Sequence, residues 1–182
     1  MSKARSTFDS SIQDAEALLG HFDSLNTKPP PNNLEVLKSA GLIMALTAWE
    51  TYVEDRAREE VHARLASDGG SNLAKLVVGR LEAELKRFHN PNSEKTRQLF
   101  VDYLEIDVTQ KLEWPHVDTI KAKKNLDELI AKRGDAVHRS KPLSTGAPAP
   151  HLVKREDLDK AIRFLKCLVD ATEKSFPREN LL

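Results

Sequence analysis

Glycine and aromatic side chains are scarce: the 182-residue chain has 7 Gly, and Phe, Trp and Tyr together make up 5 %. An all-β sandwich or barrel needs both, for its turns and for its packed faces, so that class is excluded. Cysteine is nearly absent as well. The single Cys167 rules out an intramolecular disulfide and a multi-cysteine zinc cluster, and fits a reducing cytosol. There is no excess of either charge: Lys+Arg and Asp+Glu number 28 each, so no global basic field draws in a polyanion. Any such contact must come from a local patch. Long apolar runs are missing too. The longest, Ala40 to Trp49, falls well short of the roughly 20 residues a membrane span requires. Met1 to Arg5 is basic, but Ser6 to Gln13 supplies no apolar run for a signal peptide. The expectation is a soluble, cytoplasmic protein with no membrane partner.

Familiar catalytic motifs are also absent. The chain has no glycine-rich phosphate loop, no HExxH, no GxSxG and no CxxC. Its six histidines, at 21, 62, 89, 116, 138 and 151, give no pair at i, i+3 or i, i+4 on one helix. Neither a metal site nor a cofactor is expected.

What is present is helix after helix, under a composition of 40 % hydrophobic and 31 % charged residues that suits one core. Phe8, Ile12, Ala15, Leu19 and Phe22 recur at helical spacing, with Ser6 to Asp9 as a capping box. Pro29-Pro30-Pro31 ends that element. A long central helix is expected from about Asn33 to Ala66. Its middle is apolar on nearly every side, through Leu37, Leu42, Met44, Leu46, Trp49, Tyr52 and Val53. Its second half, Glu50 to Arg64, is charged and is expected to reach solvent. Leu73, Val77, Leu81, Leu85 and Phe88 make a third amphipathic helix. Asn90-Pro91-Asn92 is a turn, and Ser93 is the expected N-cap of a fourth helix through Leu104. Residues 105–119 read as irregular around Trp114-Pro115. A fifth helix starts near Thr119, and a last one carries Leu158, Ile162, Leu165, Val169 and Phe176. The expected fold is all-α: one domain over 1–182, a bundle of five or six helices around one long central helix. Residues 28–32 form a proline-rich connector and 140–152 a Pro/Gly loop. Cys167 lies near the last stripe and reads as inert core.

One short pattern stands out in this background, Arg133-Gly134-Asp135-Ala136-Val137-His138, an Arg-x4-His near the end of the fifth helix. Chance alone supplies roughly one Arg-x(4–6)-His in a chain of this composition, and Arg56-x5-His62 is a second match. Context separates them. Arg133 falls on the stripe of Ala122, Leu126, Leu129 and Val137, where a charge needs a partner or a ligand. Arg56 sits among Glu54, Asp55, Glu59 and Glu60, where it can pair on an exposed face. Lys121 to Lys141 carries seven basic and three acidic residues, whereas Glu50 to Glu60 carries five acidic and two basic. Phosphate would choose the first neighbourhood. Five residues of helix turn through about 140°, so Arg133 and His138 do not share a face unless Gly134 loosens the turn or the arginine curls round. Glu50 and Glu54, one turn apart, read as a solvated face, with a carboxylate pair reaching a cleft as the alternative. Trp49 and Tyr52 read as core or dimer-interface residues.

These features together resemble the HEPN superfamily, and more narrowly its RiboL-PSP-HEPN subgroup. The resemblance rests on the Arg-x4-His near the end of a late helix and on the segment Ala48-Trp49-Glu50-Thr51-Tyr52-Val53-Glu54-Asp55. Asn90-Pro91-Asn92 leading into Leu99-Phe100, then Trp114, then Leu126 to His138 complete it, so that it spans about Leu37 to Phe176. Two positions depart from the family pattern: Gly134 stands between Arg133 and Asp135, and Arg139 follows the histidine where Gly is common. The resemblance implies a metal-independent endoribonuclease that dimerises, so that the Arg and His of both subunits line one cleft. It further implies a toxin, phage-defence or RNA-processing role, with an antitoxin or another protein as partner. In that scheme His138 moves protons, Arg133 binds the scissile phosphate, and Asp135 orients His138, while Arg139, Lys132 and Lys124 contact RNA. Attack by the 2′-hydroxyl leaves a 2′,3′-cyclic phosphate. The alternative is a catalytically silent bundle of the same kind that binds a nucleotide, RNA or a partner protein.

Overall fold

A computed structural model describes residues 1–27, 34–68, 70–137 and 153–176, with the backbone alone for 68 and 135–137. The proline-rich connector and the Pro/Gly loop lie outside the described residues. Six α-helices appear among the described residues, in the order α1 (Lys3–Leu25), α2 (Glu35–Arg64), α3 (Asn72–Leu85), α4 (Ser93–Leu104), α5 (Thr119–Val137) and α6 (Arg155–Glu173). The fold is all-α. The closest approach to a strand among these residues is an isolated bridge, Trp114 to Val117.

Helix α2 is the hub. It contacts every other helix, which is why its middle is apolar all round. Leu42, Ala45, Leu46, Trp49, Tyr52, Val53 and Ala57 are each buried to 2 % exposure or less. Helix α1 runs antiparallel to it. The Lys3 amide donates to Glu59 at one end (2.8 Å), Phe8 meets Tyr52 edge-on at 6.0 Å, and Lys38 lies 4.7 Å over the Phe22 ring at the other. Helix α6 packs on both. Ion pairs Arg5–Asp170, Lys166–Glu16 and Arg155–Asp23 strap it antiparallel to α1. Gly41 permits this packing, because a Cβ there would lie 2.7 Å from Leu158 of α6.

Three local expectations are corrected. Helix α1 begins earlier than the Ser6 capping box: Ser2 is the N-cap, accepting from the Arg5 amide at 3.0 Å while its hydroxyl donates to Glu173. A tertiary bond to α6 thus sets where the helix starts. Helix α4 is capped by Asn92, whose side chain accepts from the Lys95 amide at 2.9 Å. Ser93 instead gives its amide and hydroxyl to Asp127 of α5, at 2.8 and 2.9 Å. On α3, Leu81 and Leu85 are buried but Leu73 and Leu76 stand exposed, while Ala74 takes the inward position of the first turn.

The second half of α2 is less solvated than its charge implies. Arg56 is 7 % exposed, held by Glu60 (2.6 Å), Glu173 (3.0 Å) and the face of Phe176. The expected i, i+3 and i, i+4 partners Glu59 and Glu60 are both there. What the sequence hides is that α6 closes over them. This arginine is held by structural ion pairs, although its buried Nε–H makes no well-aligned hydrogen bond among the described residues.

Candidate functional site

Three elements converge at Arg133: the middle of α2, the loop between α3 and α4, and the last turns of α5. The loop is fixed first. Asn90 adopts a left-handed conformation (φ 54°), which Asn tolerates better than most residues. The next residue is pinned to the core, since the Pro91 carbonyl accepts from the buried indole of Trp49 at 2.9 Å. The Asn90 amide donates to Glu50 at 3.1 Å, one residue further along α2. Trp49 and Tyr52 are therefore core residues.

Arg133 closes the arrangement. Its Nη1 donates to Glu50 Oε2 at 2.6 Å and to Asn90 Oδ1 at 2.8 Å, and its Nη2 donates to Thr47 Oγ1 at 3.3 Å. Glu50 and Asn90 thus bond to each other as well as to the guanidinium, which makes a closed triangle. The Arg133 and Glu50 side chains are 17 % and 15 % exposed, so the pair sits at the rim of the core. Of the five guanidinium N–H groups, three are engaged. Nε–H and one Nη2–H remain without a partner among the described residues, enough for a bidentate contact to an oxyanion.

The other carboxylate oxygen of Glu50 faces an imidazole. His89 Nδ1 lies 3.5 Å from Glu50 Oε1, and its ring is 70 % exposed. One turn along α2, burial pushes the Glu54 carboxyl above the ordinary carboxylate range. Arg58 draws it back down, while Glu50 and Asp55 repel it further upward. Glu50 and Glu54 are accordingly not a freely solvated face. The first is committed to Arg133, and the second is half-buried beside it.

The sequence-derived residues divide as follows. Arg133 faces inward and is partnered. The side chain of Asp135, and His138 and Arg139 entire, lie outside the described residues; α5 itself continues through Gly134 to Val137 without a break. Lys124 pairs with Glu128 of its own helix at 3.8 Å. Lys132 points toward α6, 3.9 Å from Asp157. It lines a 410 Å³ pocket with Trp114, Phe164 and a half-buried Cys167, and so takes a different face of α5 from Arg133. Thr47, His89 and Asn90 were missed as site residues. Only the turn signal of Asn90-Pro91-Asn92 pointed toward them.

No curated protein and no solved structure matches the chain. The sequence model described as RiboL-PSP-HEPN does match, over residues 9–177. That span covers all of α2 to α6 and the whole Thr47–Glu50–Asn90–Arg133 cluster. The chain belongs to the RiboL-PSP-HEPN family, and its helices are those of a HEPN domain.

Proposed function

We propose that this protein is a metal-independent endoribonuclease that cuts RNA by attack of the 2′-hydroxyl on the adjacent phosphate. One observation carries the reading: Arg133 is fixed in place by Glu50, Asn90 and Thr47 while two of its N–H groups have no partner among the described residues. A guanidinium held this way can grip a phosphate and the charge that grows on it in the transition state without first being ordered. His138, five residues on, supplies the proton transfer, at a residue type whose ordinary pKa of about 6.5 suits neutral pH. Asp135 orients it. Expulsion of the 5′-oxygen leaves a 2′,3′-cyclic phosphate and needs no nucleophile from the protein. Two copies contribute one Arg–His pair each to a shared cleft, and a toxin or RNA-processing role follows, with an antitoxin or other protein as a further partner.

The test is cleavage of total RNA and tRNA in EDTA by the purified protein beside Arg133→Ala and His138→Ala. The wild type alone is expected to cut, leaving cyclic-phosphate ends, and to run as a dimer in light scattering. Cutting that persists in His138→Ala sinks the assignment. A second reading, a silent module that binds RNA or a nucleotide, draws on the same triangle: Glu50 neutralises Arg133, as a purely structural arginine requires. That reading predicts no cutting by any of the three proteins at any pH.

A further inference from the structure

The chain is neutral overall, so an RNA substrate needs a local cluster of cations, and two of the α5 lysines, Lys124 and Lys132, already face carboxylates. Two arginines that form no ion pair among the described residues, Arg80 and Arg87, lie on the other side of the cluster. Between α3 and α4 runs a groove of 470 Å³ lined by Arg80, Glu84, Arg87, Phe88, Lys95 and Gln98. That volume is in the range of sites that hold small ligands.

Its charge is unbalanced. Three cations face one carboxylate, and that one, Glu84, already accepts the Tyr103 hydroxyl at 2.8 Å. Arg80 and Arg87 form no ion pair among the described residues, and both are exposed. Among the other described arginines, Arg5, Arg56, Arg58, Arg97, Arg133, Arg155 and Arg163 each meet an acid, and Arg64 donates to the Leu104 carbonyl. The groove also joins the candidate site directly. Lys95 Nζ donates to the His89 carbonyl at 2.8 Å, and Arg87 and Phe88 immediately precede His89 and Asn90 in the chain. One end of the groove is therefore the loop that holds Arg133.

We infer that the α3–α4 groove binds the single-stranded RNA flanking the scissile phosphate, with Arg80, Arg87 and Lys95 taking successive backbone phosphates. This rests on the endoribonuclease reading for the identity of the strand. The chemistry favours a single strand because the planes of Arg80 and Arg87 can stack on unpaired bases, and Gln98 offers an amide to their edges. The groove thereby supplies affinity and reach, while Arg133 acts on one phosphate at its end.

The experiment uses the full-length protein and a fluorescein-labelled 14-nucleotide RNA made uncleavable by 2′-O-methylation, read by anisotropy across a salt series. The variant Arg80→Glu/Arg87→Glu is compared with the wild type and with Lys3→Glu/Lys111→Glu, which changes net charge equally at exposed positions remote from the groove. The groove variant is expected to lose tenfold or more in affinity, and to lower the salt slope by about 1.4, since each single-strand phosphate contact contributes roughly 0.7. The control is expected to lose less than twofold. Equal binding by the groove variant and the wild type overturns the inference, as does an equal loss in the control, or no binding of the strand by any of the three. A wild type that binds through Arg80 and Arg87 yet cuts no cleavable RNA upholds the groove and removes the nuclease reading, so the two fail separately.

Discussion

Glu50 is the residue on which the site turns, because it bonds to Arg133 and to the Asn90 amide through one oxygen and faces His89 with the other. Replacing it by alanine strands a guanidinium that is 17 % exposed, and a charge-assisted hydrogen bond of this kind is worth about 1.5–3 kcal/mol. Glu50→Ala should lower the unfolding free energy measured in urea by that much, and Glu50→Ala/Arg133→Ala should lose less than the sum of the two single variants. Strict additivity in that cycle would show that the pair is not coupled. Glu54 behaves in the opposite sense. Its folded pKa is raised by burial, so the folded state holds that proton more tightly than the unfolded state does. Ionisation then costs stability. The penalty is complete above the folded pKa, is relieved as pH falls through it, and vanishes below the unfolded value. Glu54→Gln should therefore stabilise the protein more at pH 7 than at pH 4, relative to the wild type, in paired urea melts. An equal shift at both pH values would contradict the raised pKa.

Among the elements, the two whose roles depend on context are α2 and α5. Helix existence was legible in the sequence because apolar spacing of 3.6 shows through, and α2, α3, α4 and α5 fall within a few residues of expectation. Partnering was not legible. Periodicity places Leu73 on the stripe of α3 but cannot say that Ala74 beside it takes the buried position of that turn. Likewise, the run of acids around Arg56 reads the same whether or not α6 covers it. The Ser2 cap was invisible because its competitor, the Ser6 box, is local, whereas its bond to Glu173 reaches across the whole chain. At the site, Arg133 was legible as a charge on an apolar stripe; its partners come from α2 and a loop distant in sequence. A loosened turn at Gly134 was one of two ways to bring Arg133 and His138 together, the other being a curled arginine; α5 runs through Gly134, and a Cβ there would meet nothing within 4 Å. Gly134→Ala should accordingly stabilise the protein by about 0.5–1 kcal/mol, the helix-propensity difference, in thermal or urea unfolding. A loss of stability instead would mean that the helix end is under a constraint the glycine relieves.

For the whole molecule, the hub position of α2 ties the site to the core. Trp49 and Glu50 are neighbours in the chain, and one holds the Pro91 carbonyl from inside while the other holds the Asn90 amide at the rim. No described helix is long and apolar enough to cross a membrane, so α2 is apolar on all sides for packing against other helices. The same link has an optical consequence. The chain has two tryptophans, and in Trp114→Phe only Trp49 remains, an indole that donates to the very loop that grips Arg133. Its emission should be blue in the free protein and should shift or change intensity when an oxyanion on the remaining N–H groups of Arg133 polarises that guanidinium and the Asn90 loop bonded to it, giving a label-free signal of site occupancy. In the same background Arg133→Ala should leave that emission blind to ligand, since the mechanical connection from phosphate to indole would be cut.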